Sequence, residues 1–342
     1  MTDSLSNTAT PQLVDRFGRE VTYVRLSVTD RCDLRCVYCM SEDMTFVPRA
    51  QLLTLEEMSR IGKAFVDLGV NKLRISGGEP LTRKNILSVF ESLGKLDDLK
   101  DLTLTTNASL LEKYAQPLKD AGVTRINISL DTLIEDRFKR ITRTGKLHQT
   151  LAGIEAAIDA NFKRLKLNSI ILKDYNHDEI LTLVDFVKER DMDISFIEEM
   201  PLGMIGDHDR AKTFYSSDQI LSYLREHFSL TVTEEKTGGP AKYYRFDDAH
   251  QTNTRVGFIS PHTHNFCEDC NRVRVTAEGL LLLLCLGQEH SVDLRRIVRA
   301  HPTDNEILKQ TIIDSMQIKP KGHDFNLAEQ PIIMRHMSAT GG

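Results

Sequence analysis

Short β-like runs alternate with helical segments through the first ~200 residues, and this alternation constrains the fold more than any other feature. The runs cover residues 22–28, 72–76, 102–106, 125–130, 166–172 and 194–200. Between them, residues 54–57 (Thr-Leu-Glu-Glu) have the form of a capping box for a helix ending at Gly69, and 178–190 repeats its apolar residues at helical spacing. The pattern predicts a parallel sheet, either a partial βα barrel or a doubly wound sheet.

Polar and apolar residues alternate within five of these runs, so that each predicted strand has one apolar and one polar face. Parallel strands covered on both faces are continuously apolar, and a standard barrel interior is filled with aliphatic side chains. The alternation therefore predicts an open barrel with a polar interior. That face carries five cations: Arg25, Lys72, Arg74, Arg125 and Lys166. A basic interior predicts an anionic ligand; the alternative, edge-exposed antiparallel strands, lacks hairpin signals between the runs.

The sequence changes character after residue ~230. A turn signal occupies 237–240, the following strands look antiparallel with a hairpin turn at 277–279, and 292–318 looks helical apart from Pro302. We therefore predict four parts. These are a disordered tail over 1–15, a barrel over 16–230, a C-terminal domain over 231–330 and a tail over 331–342.

Charge and hydropathy limit the partners and location that we expect. A net charge of −5 argues against a general nucleic-acid binder. No run of about 18 apolar residues exists, so no membrane span is expected. The N-terminal residues lack the basic and apolar regions of a signal peptide, so we expect a polar tail and a cytoplasmic protein.

Three cysteines, Cys32, Cys36 and Cys39, form a CxxxCxxC loop directly after the first predicted strand. Thiolates bind soft metals and iron–sulfur clusters, and three ligands leave one position of a four-position centre open for reaction. A zinc site completed by a distant residue and a Cys36–Cys39 redox pair are the alternatives. The sequence GGEP (77–80) and the residues 105–107 follow the next two strands, so we expect these segments to meet at one end of the barrel.

A second set of three cysteines, Cys267, Cys270 and Cys285, lies in the C-terminal part. Zinc completed by His262 or His264 and a second iron–sulfur cluster are equally compatible with this spacing.

The CxxxCxxC loop with Tyr38 before its last cysteine, followed by GGEP, resembles the radical S-adenosylmethionine superfamily. A longer series of segments resembles the GTP 3′,8-cyclase family of molybdenum cofactor biosynthesis. The segments are RLSVTDRCDLRCVYCM, LRISGGEPLTRK, INISLDTL, FIEEMPLG, FCEDCNRVRVTAEG and the terminal Gly-Gly.

This resemblance implies an α/β fold, an incomplete (βα)6 TIM-type barrel with a C-terminal α+β extension that carries a second cluster. Each cysteine set would hold one 4Fe–4S cluster, the first binding S-adenosylmethionine and the second the guanine of GTP. The positions that match S-adenosylmethionine contacts are Tyr38, Gly78, Ser129 and Met200. Those that match the GTP site are Arg25, Arg74, Thr105, Lys166, Arg272, Arg274 and the backbone of Val273. The resemblance also implies catalytic roles for Arg272, Arg274, Gly341 and Gly342.

The resemblance further implies a set of partners. These are GTP as substrate, a reducing electron donor, and cyclic pyranopterin monophosphate synthase as the acceptor of the product. The chain would be a monomer or homodimer, with no nucleic-acid or membrane partner. Two alternatives are another two-cluster radical enzyme, such as a peptide-modifying maturase, and a zinc-stabilised nucleotide- or RNA-binding protein without catalysis.

Three positions depart from the family pattern. The gap between Cys270 and Cys285 is one residue longer than the resemblance leads us to expect, and a bulge before Cys285 would absorb the extra residue. Ser195 stands where many relatives carry an arginine near the triphosphate, which puts one phosphate contact in doubt. Ala108 replaces a common glycine, which matters only if the turn requires a positive φ.

Overall fold

One twelve-stranded sheet with helices packed against it organises the computed structural model, which describes residues 13–200, 208–235, 238–247, 252–264, 266–284 and 287–322. The strands are β1 (Tyr23–Ser27), β2 (Lys72–Ser76), β3 (Asp101–Thr106), β4 (Arg125–Ser129), β5 (Arg164–Ile170), β6 (Asp193–Ile197), β7 (Leu230–Thr233), β8 (Lys242–Phe246), β9 (Arg255–Ile259), β10 (Arg272–Val275), β11 (Leu280–Leu284) and β12 (Gly287–Asp293). The helices are α1 (Leu55–Asp67), α2 (Leu87–Leu93), α3 (Leu111–Asp120), α4 (Glu135–Thr142), α5 (Leu147–Asp159), α6 (Ile180–Lys188), α7 (Arg210–Thr213), α8 (Ser217–His227), α9 (Leu294–Ala300) and α10 (Asn305–Ser315).

The strands lie in the order β12-β11-β10-β1-β2-β3-β4-β5-β6-β9-β8-β7. Strands β1 to β6 pair in parallel with their sequence neighbours, which confirms the predicted partial TIM-type barrel. The antiparallel prediction for the later strands is correct for the β7–β8, β8–β9, β10–β11 and β11–β12 pairs. It is wrong for the inner partner of β9 and of β10, which pair in parallel with β6 and β1. The exposed backbone groups at both barrel edges are thereby hydrogen-bonded.

Helix α1 illustrates how local sequence sets the element boundaries. The Thr54 hydroxyl accepts from the Glu57 amide at 3.1 Å, and the Glu57 carboxylate accepts from the Thr54 amide at 2.8 Å. This is the predicted capping box. Gly69, just beyond the helix, has φ of 95°, a left-handed conformation that glycine adopts without strain.

The alternation within β1 to β5 sorts side chains to two sides of the sheet. The apolar side chains are buried in the core that contains the helices, and seven of them are at most 1% exposed: Leu26, Leu73, Ile75, Leu104, Ile126, Ile128 and Leu167. The polar residues between them face the barrel interior, where several line one cavity. The hydrophobic effect therefore drives the helices onto the outer face and leaves the inner face for a polar ligand.

The first and last described segments of the chain contact each other beside the turn that precedes β10, where Arg19 donates to the carbonyls of Cys267 and Pro320. Of the predicted N-terminal tail, residues 1–12 lie outside the described residues, whereas Leu13 and Asp15 are buried. Residues 323–342, which include the predicted C-terminal tail, also lie outside them. Among the described helices, none combines the length and apolar character required to cross a bilayer.

Candidate active site

A cavity of about 210 Å³ lies at the carboxyl ends of the parallel strands. The sequence-predicted residues that line it are Arg25, Cys32, Cys36, Tyr38, Cys39, Arg74, Gly78, Thr105, Ser129, Lys166, Met200, Cys267, Cys270, Arg272 and Arg274. Val273 instead has its side chain buried in the core. Cys285, Gly341 and Gly342 lie outside the described residues. The predicted convergence of motifs at one end of the barrel is therefore present.

The first cysteine loop is held in place by backbone hydrogen bonds. The Cys39 amide donates to the Cys36 carbonyl at 2.9 Å, which makes a tight turn between these two cysteines. The Val37 amide donates to the Ile141 carbonyl at 2.9 Å, which ties the turn to α4. All three thiols are partly exposed and line the cavity. The loop thus presents three sulfur atoms to one space.

The protein alone disfavours thiolates at this loop. Burial raises the pKa of the Cys32 thiol, and Glu79 and Asp33 raise it further. Burial also raises the pKa of Cys36, with added repulsion from Cys39 and Cys32. A positively charged metal centre would reverse this effect, because coordination favours the deprotonated thiol. A set of three sulfur donors beside an open cavity fits an iron–sulfur cluster.

The GGEP segment braces the cysteine loop from the neighbouring strand. A Cβ atom on Gly78 would lie 2.3 Å from the Arg31 carbonyl oxygen, so only glycine permits this approach. The Glu79 carboxylate, which is fully buried, accepts from the Leu81 amide at 3.0 Å, the Thr106 hydroxyl at 2.9 Å and the Asn107 amide at 2.7 Å. Glu79 therefore joins the ends of β2 and β3 directly beneath the loop.

Tyr38 is positioned by a contact that the sequence pattern did not indicate. Its hydroxyl donates to Asp131 Oδ2 at 2.6 Å, and Asp131 Oδ1 accepts from the Ile170 amide at 2.8 Å. Burial raises the pKa of Asp131 to about 6. The carboxylate thus connects the cysteine loop with the ends of β4 and β5.

Strand register brings the predicted basic side chains together. Arg25 on β1 lies opposite Arg74 on β2 and Arg274 on β10, and Tyr23 lies opposite Arg272. Burial, with the nearby positive charge of Arg274, lowers the pKa of Arg25 to about 9. Such a concentration of buried like charges is costly without an anion. We call the five cations that line the cavity, Arg25, Arg74, Lys166, Arg272 and Arg274, the cationic wall. The cationic wall is suited to a polyphosphate, which arginine binds with two parallel hydrogen bonds.

Two other cations of the predicted interior set occupy a different position. Lys72 Nζ lies 3.2 Å from Asp101 Oδ2, and Arg125 Nε donates to Asp101 Oδ1 at 3.0 Å. Because these residues begin β2, β4 and β3, they meet at the amino ends of the strands, and neither cation lines the cavity. All five cations lie on the predicted inner face of their strands, but only Arg25, Arg74 and Lys166 line the cavity.

Several polar atoms that face the cavity lack a hydrogen-bond partner among the described residues. They are Ser76 Oγ, Thr105 Oγ1, Asn127 Nδ2 and Asn168 Oδ1, and all four side chains line the cavity. Buried polar atoms are normally hydrogen-bonded, so atoms without a partner in a cavity indicate a polar ligand. Asn127 and Asn168 were not predicted as site residues, although both lie on the predicted polar faces of their strands.

The second cysteine set begins in a turn that precedes β10. The Cys270 amide donates to the Cys267 carbonyl at 3.2 Å, and both cysteines are buried. Leu284, directly before Cys285, lines the same cavity. His262 and His264 were the candidate fourth ligands of a zinc site. In the structure, His262 Nε2 contacts the Glu199 carbonyl at 2.7 Å and His264 Nε2 contacts Asp218 Oδ1 at 3.1 Å.

Two sequence models of known families divide the chain between them. The Radical SAM superfamily matches residues 26–187, and Molybdenum Cofactor Synthesis C matches residues 192–325. A GTP 3′,8-cyclase of Saccharophagus degradans is 58% identical over 330 residues, which cover 96% of this chain and 98% of that protein. Another, of Ectopseudomonas mendocina, is 55% identical over 97% of this chain and 99% of its own length. The chain belongs to the GTP 3′,8-cyclase family.

Solved structures agree with this family at the level of the fold. Streptococcus suis SuiB bound to its precursor peptide SuiA has a TM-score of 0.61 at 16% identity, over 95% of this chain and 77% of SuiB. SuiB bound to S-adenosylmethionine gives 0.60 at 15% identity, over 95% of this chain and 79% of SuiB. The GTP 3′,8-cyclase family and SuiB therefore share one barrel architecture.

Two of the departures from the GTP 3′,8-cyclase pattern have a clear structural outcome. Ala108 has φ of 64°, so the turn does require the left-handed conformation that a glycine would adopt freely. Pairing between β11 and β12 shifts register between Leu282, which pairs with Ser291, and Leu284, which pairs with Gly287. The extra residues of this irregularity therefore lie on β12, after Cys285, and not in the segment before Cys285 where a bulge was predicted. The third, Ser195, is fully buried, and its Oγ lacks a partner among the described residues.

Proposed function

We propose that this chain converts GTP and S-adenosylmethionine into 3′,8-cyclo-7,8-dihydro-GTP, methionine and 5′-deoxyadenosine, using a reducing electron donor. One observation carries the proposal: a single cavity is lined by the CxxxCxxC loop, by Cys267 and Cys270, and by a wall of cations. Membership of the GTP 3′,8-cyclase family supports it. The product would then pass to cyclic pyranopterin monophosphate synthase.

The first half of the site would bind S-adenosylmethionine. Cys32, Cys36 and Cys39 would hold a 4Fe–4S cluster, which when bound supplies the electron that cleaves the sulfonium to give the 5′-deoxyadenosyl radical. Tyr38, Gly78, Ser129 and Met200 line the cavity beside this loop and would contact S-adenosylmethionine. Their task is to place the radical carbon against the ribose and to exclude water.

The second half would bind GTP. Arg25, Arg74 and Lys166, together with the unpartnered Thr105 hydroxyl, would bind the triphosphate. Cys267, Cys270 and Cys285 would hold a second 4Fe–4S cluster next to the guanine. Arg272 and Arg274 follow Cys270 on β10, and with the backbone of Val273 they would orient the base. Rigid strands on both sides would hold C3′ of the ribose close to C8 of the guanine.

Metal content and product together test this proposal. Anaerobically purified protein should contain about eight irons and eight sulfides and little zinc. Under reducing conditions it should form the cyclised nucleotide and 5′-deoxyadenosine in equal amounts. Stoichiometric zinc with about four irons would contradict the second cluster, and uncoupled 5′-deoxyadenosine formation would contradict the substrate assignment.

The role proposed for Gly341 and Gly342 has its own test. Deleting both should leave the iron content and GTP affinity nearly unchanged and should lower cyclisation by orders of magnitude, because small misplacements near reacting atoms cost large factors in rate. Deleting Met1 and Thr2 is the matched control. Full cyclisation by the C-terminal deletion variant would exclude the role.

A further inference from the structure

Both ends of the described chain meet behind the turn formed by Cys267 and Cys270. Arg19 Nη1 donates to the Cys267 carbonyl at 2.7 Å, and its Nη2 donates to the Pro320 carbonyl at 2.6 Å. Lys319 Nζ donates to the Cys270 carbonyl at 3.1 Å. The two cationic side chains therefore hold the carbonyls of the two described cysteines of the second set.

A single carboxylate joins these cations. Asp15 Oδ2 accepts from Arg19 Nε at 2.6 Å and lies 3.3 Å from Lys319 Nζ. Burial raises the pKa of Asp15, but hydrogen bonds from Arg19 and Phe17 outweigh burial and hold that pKa below its usual range. We call Asp15, Arg19 and Lys319 the rear clamp.

The rear clamp is deeply buried and carries a net positive charge. The side chains of Asp15 and Lys319 are fully buried, and that of Arg19 is 8% exposed. Within the rear clamp, two cations and one carboxylate give a net charge of +1. Buried ion pairs rarely stabilise a protein more than apolar side chains of similar size would. Stability alone is therefore a weak explanation for placing these charges here.

The rear clamp provides two things that apolar packing would not. Its charge-assisted hydrogen bonds hold the backbone carbonyls of Cys267 and Cys270 in place. Its net charge also acts through a poorly screening interior, where a neighbouring positive charge favours the more negative form of any redox centre.

We propose that the rear clamp is a positioning and tuning element, which orients Cys267 and Cys270 and raises the reduction potential of the second cluster. This inference rests on the proposed second cluster. If the role were purely structural, every disruptive substitution would shift the reduction potential of the second cluster in the same direction. An electrostatic role requires opposite effects from removing a cation and from removing the carboxylate.

The experiment uses the full-length chain in which Cys32, Cys36 and Cys39 are all alanine, so that any cluster belongs to the second set. The reduced fraction is measured by electron paramagnetic resonance in a potentiometric titration with dithionite as the reductant. The variants added to this parent are Lys319→Met, Lys319→Gln and Asp15→Asn. Lys321→Met is the control, because Lys321 is 68% exposed and pairs with Glu268 at 3.6 Å.

At the parent midpoint, Lys319→Met and Lys319→Gln should lower the ratio of reduced to oxidised cluster by about threefold or more. Asp15→Asn should raise that ratio, and Lys321→Met should change it by less than about twofold. If a Lys319 variant loses its iron, the Asp15→Asn variant decides the test. A higher ratio of reduced to oxidised cluster in that variant supports the inference, and any other result overturns it. A parent without about four irons would refute the proposed second cluster. A parent with them, but with variants that shift together or not at all, would refute only the rear clamp.

Discussion

The buried ionisable side chains that brace the first cysteine loop are carboxylates, whereas those beside the second cysteine turn are mainly cations. Glu79 and Asp131 brace the first loop. Lys319 donates to the Cys270 carbonyl of the second turn, and the buried Arg272 and Arg274 follow this turn on β10. At both sites an arginine donates a hydrogen bond to a cysteine carbonyl. Arg19 donates to Cys267, and the partly exposed Arg35 Nη1 donates to Cys32 at 2.6 Å. The difference therefore lies in buried charge and not in ligand type.

This difference suits the two cysteine sets to different tasks. Negative surroundings make a redox centre harder to reduce and hence a stronger electron donor, which the cleavage of S-adenosylmethionine demands. Positive surroundings attract a polyanionic substrate and favour an added electron. Similar ligands can thus do different chemistry because the charges around them differ.

The largest effects should come from removing the cysteines, and they should separate the two regions. Cys36→Ala should abolish 5′-deoxyadenosine formation, because the proposed first cluster would keep only two of its three thiol ligands, Cys32 and Cys39. Cys270→Ala should abolish the cyclised product while leaving cleavage of S-adenosylmethionine measurable. Chromatography of both products from each variant checks this. Equal loss of both products in both variants would break the division of tasks.

A second test removes a carboxylate brace from the first region. Glu79→Gln should lower the free energy of unfolding by about 2–3 kcal/mol, because an amide nitrogen would face the Asn107 amide donor in a buried site. Urea denaturation measures the change. Glu112→Gln on the exposed side of α3 should stay within about 0.5 kcal/mol. Similar stability of both variants would show that the brace is dispensable.

Substrate binding should separate the regions by charge. Arg25→Ala or Lys166→Ala should weaken GTP binding by about 1.5–3 kcal/mol, the scale of a hydrogen bond to a charged group. Binding of S-adenosylmethionine should change much less, because these side chains lie on the cationic wall. Anaerobic calorimetry with each ligand makes the comparison. Equal weakening of both ligands would indicate general misfolding.

The cationic wall also predicts a pH dependence for GTP binding. Burial raises the pKa of Tyr23, but Arg74, Arg25, Arg272 and Lys72 outweigh it and lower that pKa to about 7. Bound triphosphate would neutralise the cations and raise the pKa again, so binding takes up a proton above pH about 7.

GTP affinity of the unsubstituted protein should therefore fall as pH rises from 7 to 9, by less than about tenfold per pH unit. Tyr23→Phe should flatten this dependence. Equilibrium dialysis of both proteins over the same pH series cancels the titration of GTP itself. Parallel curves would show that Tyr23 stays protonated.

The smallest expected effect concerns the turn after β3 in the first region. Ala108→Gly should raise the free energy of unfolding by about 0.5–1 kcal/mol, because glycine relieves the left-handed strain at φ of 64°. Ala156→Gly within α5 should instead lower it by about 1 kcal/mol. Thermal or urea unfolding measures the sign of the change in the free energy of unfolding for each variant. Destabilisation by both substitutions would mean that the turn is unstrained.

Local sequence was sufficient to predict the six barrel strands, the candidate cysteine ligands and most of the cationic wall. Alternation within a strand depends only on near neighbours, so the pattern around Arg25 and Arg74 identified the interior face before any contact was known. The capping box at Thr54 was equally local. Lys72 and Arg125 show what this pattern cannot predict. Alternation identifies the face of the strand on which a side chain lies, but not its position along the barrel axis.

Only the tertiary structure decided which distant groups meet. The Asp131 carboxylate reaches Tyr38 across 93 residues, and Arg19 reaches Pro320 across 301 residues. The pairing of β9 and β10 with the barrel edges is also non-local. Such contacts depend on how the chain closes on itself, and no short window of sequence contains both partners. The amino-acid sequence alone therefore identified the candidate cysteine ligands of this protein, and the folded chain decided which charges lie around the described ones.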